Sequence, residues 1–179
     1  PIEQMRASPQ THAVTSRCDA ETLATIPELR RGRVAGALVK VVGRIWRSDD
    51  RNPVGHRTGE IAYASAQSHL AYYRILERRG AVRLLRSGAD VDDHFTTWET
   101  ASEYDELPVG FVLGMEGADS ILWPEMVHEL WDDGLRVISL SHYGKSVYCH
   151  GTGTGTESGL FPPAHELLAE MDKAGMILD

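Results

Sequence analysis

Apolar residues along this chain gather in two kinds of run, and the difference between them predicts most of its elements. Short, mainly apolar runs occupy 34–45, 81–85, 109–115 and 135–142, and the chain closes on Met176, Ile177, Leu178 and Asp179. None alternates apolar with polar positions, so each reads as a strand buried on both faces, the habit of parallel α/β sheets. Between them the spacing turns helical. Residues 61–79 carry Ile61, Ala62, Ala66, Leu70, Tyr73 and Leu76 and stop at Gly80, which predicts a long amphipathic helix.

Three further helices follow from the same reasoning. In 90–100, Val91, Phe95 and Trp98 fall on one side; behind Pro124, Met126, Val127, Leu130 and Trp131 form a stripe that ends at Gly134; behind Pro162 and Pro163, Leu167, Leu168 and Met171 form another that ends at Gly175. Proline is tolerated in a first helical turn, and glycine favours the position just past the last. The stretch around Ile26–Arg31 predicts a short helix or turn, residues 1–19 a polar connecting segment, and 48–60, dense in charge and turn formers, an exposed loop.

The order of elements is then strand, helix, a short strand-helix excursion, strand, helix, strand, helix, strand, which is an α/β pattern. A (β/α)8 barrel needs ~250 residues, whereas this chain has 179 and ends on a strand with nothing after it. The expectation is a partial barrel in a single incomplete domain over 1–179, with 1–33 as connecting segment and short helix and 34–179 as β/α units. The first residue, Pro1, where an initiator methionine would stand, suits a piece of a longer chain.

Charge and composition narrow the function. Twenty-six acidic against eighteen basic residues leave a net charge of -8, which disfavours nucleic acid or an anionic membrane as a partner and suits a small substrate or a metal. No apolar stretch approaches the ~20 residues of a membrane span, and the start has no signal-peptide core. Cys18 and Cys149 are the only cysteines and lack CxxC spacing, which favours a reducing, cytoplasmic setting.

In α/β barrels, functional side chains stand at the C-terminal ends of the strands. Two predicted strands end in such groups, FVLGMEG in Glu116 and RVISLSH in His142. As neighbours in a parallel sheet, with strands ~4.8 Å apart, they would reach one small ligand. Glu116 could be a metal ligand, a general base or the first exposed residue after a strand. His142 could polarise a carbonyl, bind metal, move a proton, or only bond a backbone carbonyl.

The run CHGTGTGTESG (149–159) lacks the lysine of a phosphate-binding loop and the strand-turn-helix placement of GxGxxG, and it reads better as a loop over the site. Cys149 and His150, adjacent in a glycine-rich loop, make a poor metal pair. His128 and His165 fall on outer helices, and nothing singles out His12, His56, His69 or His94. Neither a GxSxG elbow nor an HExxH helix occurs.

GMEGADS, GLRVISLSHYG, HGTGTGTESGL and HELLAEMDKAGMILD, in this order from Val109 to Asp179, resemble the membrane (renal) dipeptidase family of zinc peptidases; PIEQMR and ELRRGR resemble its bacterial branch. The resemblance implies a barrel of the metal-dependent hydrolase type, represented here by roughly strands 2 to 5. It implies two zinc ions, hydrolysis of dipeptides, including some with a C-terminal D-residue, and a homodimer. By it, Glu116 matches the glutamate that bridges the two metals. His142 matches a histidine that is no ligand but contacts the substrate beside the scissile carbonyl.

The family's His-x-Asp zinc pair would precede Pro1, since no HxD occurs in the chain, and its next zinc histidine would follow Asp179. One metal ligand of about four is thus present, so the chain alone is expected to be inactive. The alternatives are another metal-assisted amide or lactone hydrolase on the same barrel, or a non-catalytic barrel fragment.

Overall fold

The computed structural model describes residues 24–47, 55–155 and 159–179. Its elements are α1 (Ile26–Arg31), β1 (Gly36–Val41), α2 (Gly59–Arg78), β2 (Val82–Leu84), α3 (Gly88–Thr100), β3 (Val109–Glu116), α4 (Met126–Asp132), β4 (Leu135–Ser139), α5 (Pro162–Ala174) and β5 (Ile177–Leu178). This is mixed α/β with a parallel sheet, in the order the sequence predicts. The chain forms two compact units, one made of residues up to Ala37 together with Ile75–Phe111, the other of Leu38–Arg74 and Val112–Asp179.

In the first unit, β2 pairs in parallel with the opening residues of β3, Val82 opposite Val109 and Leu84 opposite Phe111. Thr25 caps α1 by accepting from the Glu28 N–H, and Ser87 caps α3 by accepting from Asp90. The buried face of α3 differs from the predicted stripe: Phe95 is 41% exposed, while His94 is buried with Trp98. A histidine can sit there because its Nε2 lies 2.8 Å from the Ala35 carbonyl oxygen, which satisfies a polar group that burial would otherwise penalise.

The second unit holds the sheet order β1-β3-β4-β5. β3 and β4 run parallel with Glu116 opposite Ser139, and β4 and β5 run parallel with Val137 opposite Ile177. The final apolar residues therefore do form a strand. On α2, Ala62, Ala66 and Leu70 are fully buried at helical spacing; α4 buries Met126, Val127 and Leu130, and α5 buries Ala164, Leu167 and Met171. These two helices pack together, with His128 Nε2 2.8 Å from Glu170 Oε2 across them. Leu168 of the predicted stripe is only half-buried.

β1 and β4 stop well short of their apolar runs. β1 covers six residues of 34–45, and Leu38 on it is 60% exposed, so the strand is not buried on both faces. It ends where Gly43 meets α2: a Cβ on Gly43 would lie 2.1 Å from the Ala62 carbonyl oxygen. β4 stops at Ser139, where the chain turns into a loop held by side-chain bonds: Ser139 Oγ donates to the Ser141 carbonyl at 2.8 Å and Ser141 Oγ to that of Gly144 at 2.9 Å.

Candidate functional site

The second unit places both candidate residues in one cavity. β3 runs apolar up to Met115, and Glu116 is its last residue. Gly117 then takes φ +81°, a left-handed turn that a side chain would disfavour, and the Ala118 N–H rejoins the Leu140 carbonyl at 3.2 Å. The turn leaves the Glu116 carboxylate at the strand end. His142 comes from the loop three residues beyond β4, and its Nε2 lies 3.4 Å from Glu116 Oε1.

The second carboxylate oxygen is also engaged: Lys40 Nζ, from β1, lies 3.0 Å from Glu116 Oε2. Glu116 is thus flanked by a nitrogen from the strand on one side and by a nitrogen from the loop on the other. Its side chain is 29% exposed, against 63% for Lys40 and 51% for His142, so the group faces an open bowl. The cavity measures about 400 Å³ and is lined by Lys40, His56, His69, Glu116, Asp119 and His142 among others.

His69, one turn along α2 from Ser65, accepts at Nδ1 from the Val42 N–H at 3.1 Å, which puts the proton of the neutral ring on Nε2. Asp119 lies beneath the cavity, 4% exposed. Its Oδ1 accepts from the Val147 N–H at 3.1 Å and from Arg47 Nη2 at 3.0 Å; its Oδ2 accepts from the Ile45 N–H and from Arg47 Nη1, both at 3.0 Å. One carboxylate thereby ties the loop after β1 to the loop after β4.

The glycine-rich run serves that second loop. A Cβ on Gly151 would fall 2.3 Å from the His142 carbonyl oxygen and 2.5 Å from that of Gly144, so the backbone there presses against the residue that carries the imidazole. The Thr152 N–H bonds the same His142 carbonyl at 2.8 Å. Burial pushes the Cys149 thiol up, against hydrogen bonds from Ser146 and Ser141 that pull it down, which leaves it a poor nucleophile. The His150 ring packs edge-on against Phe161.

Glu116 and His142 are therefore brought together as the sequence predicts. Of the other cavity residues, His56 and His69 were set aside in the sequence, and Lys40 and Asp119 went unnoticed. Lys40 carried the same signal as Glu116, a charge near the end of an apolar run, but Val41 and Val42 hid it. Among the described residues no group of three or more His, Cys, Asp or Glu side chains is placed to hold a metal ion, and no helix is long and apolar enough to cross a membrane. Cys18 and the connecting segment 1–19 lie outside the described residues.

Comparison with known proteins bears out the resemblance to dipeptidases. A solved dipeptidase, a metallopeptidase of family M19, superposes on 99% of this chain with a TM-score of 0.76 at 21% identity. A probable dipeptidase and an amidohydrolase, both from Pseudomonas aeruginosa, superpose on 91% and 92% of it with TM-scores of 0.66 and 0.63, each at 17% identity. An uncharacterised dipeptidase of Schizosaccharomyces pombe is 24% identical over 155 residues, 84% of this chain. No family model matches. The chain spans 36% of the length of that curated relative and 53% of the M19 structure, so its fold is that of about half of such a dipeptidase.

Proposed function

We propose that the full-length protein containing this chain is a zinc-dependent dipeptidase, and that 1–179 is part of its barrel domain. The observation that carries the reading is the meeting of Glu116, the last residue of β3, with His142, from the loop after the adjacent parallel strand β4, in a chain whose fold matches an M19 dipeptidase. Glu116 suits a divalent cation as one hard oxygen donor facing an open cavity; the remaining donors would come from outside the described residues. Zinc, when bound, would supply an activated water and polarise the peptide carbonyl.

The chain's own groups would do the rest. Glu116 would contribute its carboxylate to the metals. His142, half-exposed at the cavity wall, would donate from Nε2 to the carbonyl oxygen of a short peptide as negative charge develops there, a donor of the kind worth ~2.7 to 4 kcal/mol. Asp119 would hold the loop that carries His142. The reading includes a homodimer and a cytoplasmic location. The match to an amidohydrolase keeps a second substrate class in view, other amides cleaved by the same arrangement.

Purified full-length protein assayed against L,L and L,D dipeptides beside N-acyl amino acids tests the reading. Hydrolysis of dipeptides is expected, with Glu116→Gln abolishing turnover and lowering bound zinc, and His142→Ala lowering kcat at unchanged zinc content. Absence of dipeptide hydrolysis, or full activity in Glu116→Gln, refutes it.

A further inference from the structure

Lys40 stands where a barrel strand end would be expected to offer the site something, yet none of the roles above uses it. Leu38 and Lys40, two apart on β1, share one face of the strand. Leu38 Cδ1 lies 2.9 Å from the place a Cβ on Gly114 would occupy, and one step further along Lys40 meets Glu116. The absent side chain at Gly114 therefore lets β1 and β3 present a lysine and a glutamate side by side. The position is fixed from behind, since Tyr73 Oη donates to the Lys40 carbonyl oxygen at 3.0 Å.

A carboxylate at 3.0 Å from an ammonium already has its countercharge. Any divalent cation that takes Glu116 as a ligand must either push the ammonium off Oε2 or bind beside a like charge. Both oppose metal binding, and neither is prohibitive, because a lysine head 63% exposed on a flexible four-carbon stem can swing into water.

We propose that Lys40 is the resident cation of Glu116, and that it weakens the binding of divalent metal at this site by having to be displaced from the carboxylate. The proposal rests on Glu116 being a metal ligand. A like charge within a few ångströms of a dication in a partly hydrated site is worth about tenfold in affinity.

The test is zinc affinity rather than turnover. Full-length protein stripped of metal is titrated with zinc against a chromophoric chelator, as wild type and as Lys40→Met, Lys40→Gln and Lys40→Arg. Methionine and glutamine keep the stem and remove the charge, and at so exposed a position neither endangers folding. Both are expected to bind zinc about tenfold more tightly than wild type, and arginine to stay near the wild-type value. Equal or weaker affinity in the Met and Gln variants overturns the role of Lys40 and leaves the metal reading standing; no zinc binding by any of the four proteins overturns both.

Discussion

Replacing Asp119 by asparagine should damage the protein far more than the change of one atom suggests. Each of the two Asp119 oxygens accepts one backbone N–H and one guanidinium N–H: Val147 and Arg47 on Oδ1, Ile45 and Arg47 on Oδ2. Whichever way an asparagine amide is turned, its NH2 faces one part-buried backbone donor and one guanidinium donor, so two bonds are lost and two donor-donor contacts appear. A buried donor left unmade costs about 1–3 kcal/mol, and a hydrogen bond to a charged group about 1.5–3. With Asp119 4% and Arg47 19% exposed, solvent relieves little of this, and a loss of about 3 kcal/mol is expected. Urea unfolding of the full-length protein measures it as a fall in midpoint. Arg47→Met should cost less, because Asp119 keeps both backbone donors, and the double variant should cost less than the sum of the two single ones. A loss below about 1 kcal/mol for Asp119→Asn, or strict additivity with Arg47→Met, would show that the carboxylate does not tie the two loops.

Two further outcomes follow from packing and charge. Gly43→Ala should destabilise by about 2 kcal/mol or more, since the Ala62 carbonyl 2.1 Å from the new Cβ is backbone and cannot swing away; a melting temperature unchanged by the substitution would contradict the close approach of β1 and α2. Glu77 accepts from the Leu84 N–H and twice from Arg86; burial pulls its pKa up, but these bonds win and hold it below its ordinary value of 4.5. A depressed carboxylate adds stability that is present above its unfolded pKa and is lost as pH falls through the folded one. Glu77→Gln should therefore cost about 1 kcal/mol at neutral pH and progressively less below 4.5, read as converging urea midpoints; a constant gap would refute the assignment.

The sequence was most informative where structure is local. Apolar runs and helical stripes located the strands and the longer helices among the described residues, and Glu116, the carboxylate that closes one such run, pointed to the cavity. It misjudged the extent of β1, since nothing in GALVKVVGRI announces that the Ala62 carbonyl blocks the chain at Gly43. It put Phe95 in the core and overlooked His94, whose burial depends on the Ala35 carbonyl 59 residues away. The site divides the same way. Glu116 and His142 were found from strand ends, but Lys40 with Glu116, and Arg47 with Asp119 across 72 residues, are pairs made only by strand pairing and loop return. A single residue's type carries no trace of its partner.

The contact between Gly151 and the His142 carbonyl gives the glycine-rich run a meaning for comparing relatives. A nucleotide loop would need its glycines for a ligand, and their loss would report a lost ligand. Here the missing side chain makes room for the protein's own backbone, so a relative with a larger residue at this position has rebuilt the path from β4 to α5. Position 151 can thus sort homologues by the architecture that presents the imidazole, even among sequences that all keep the histidine.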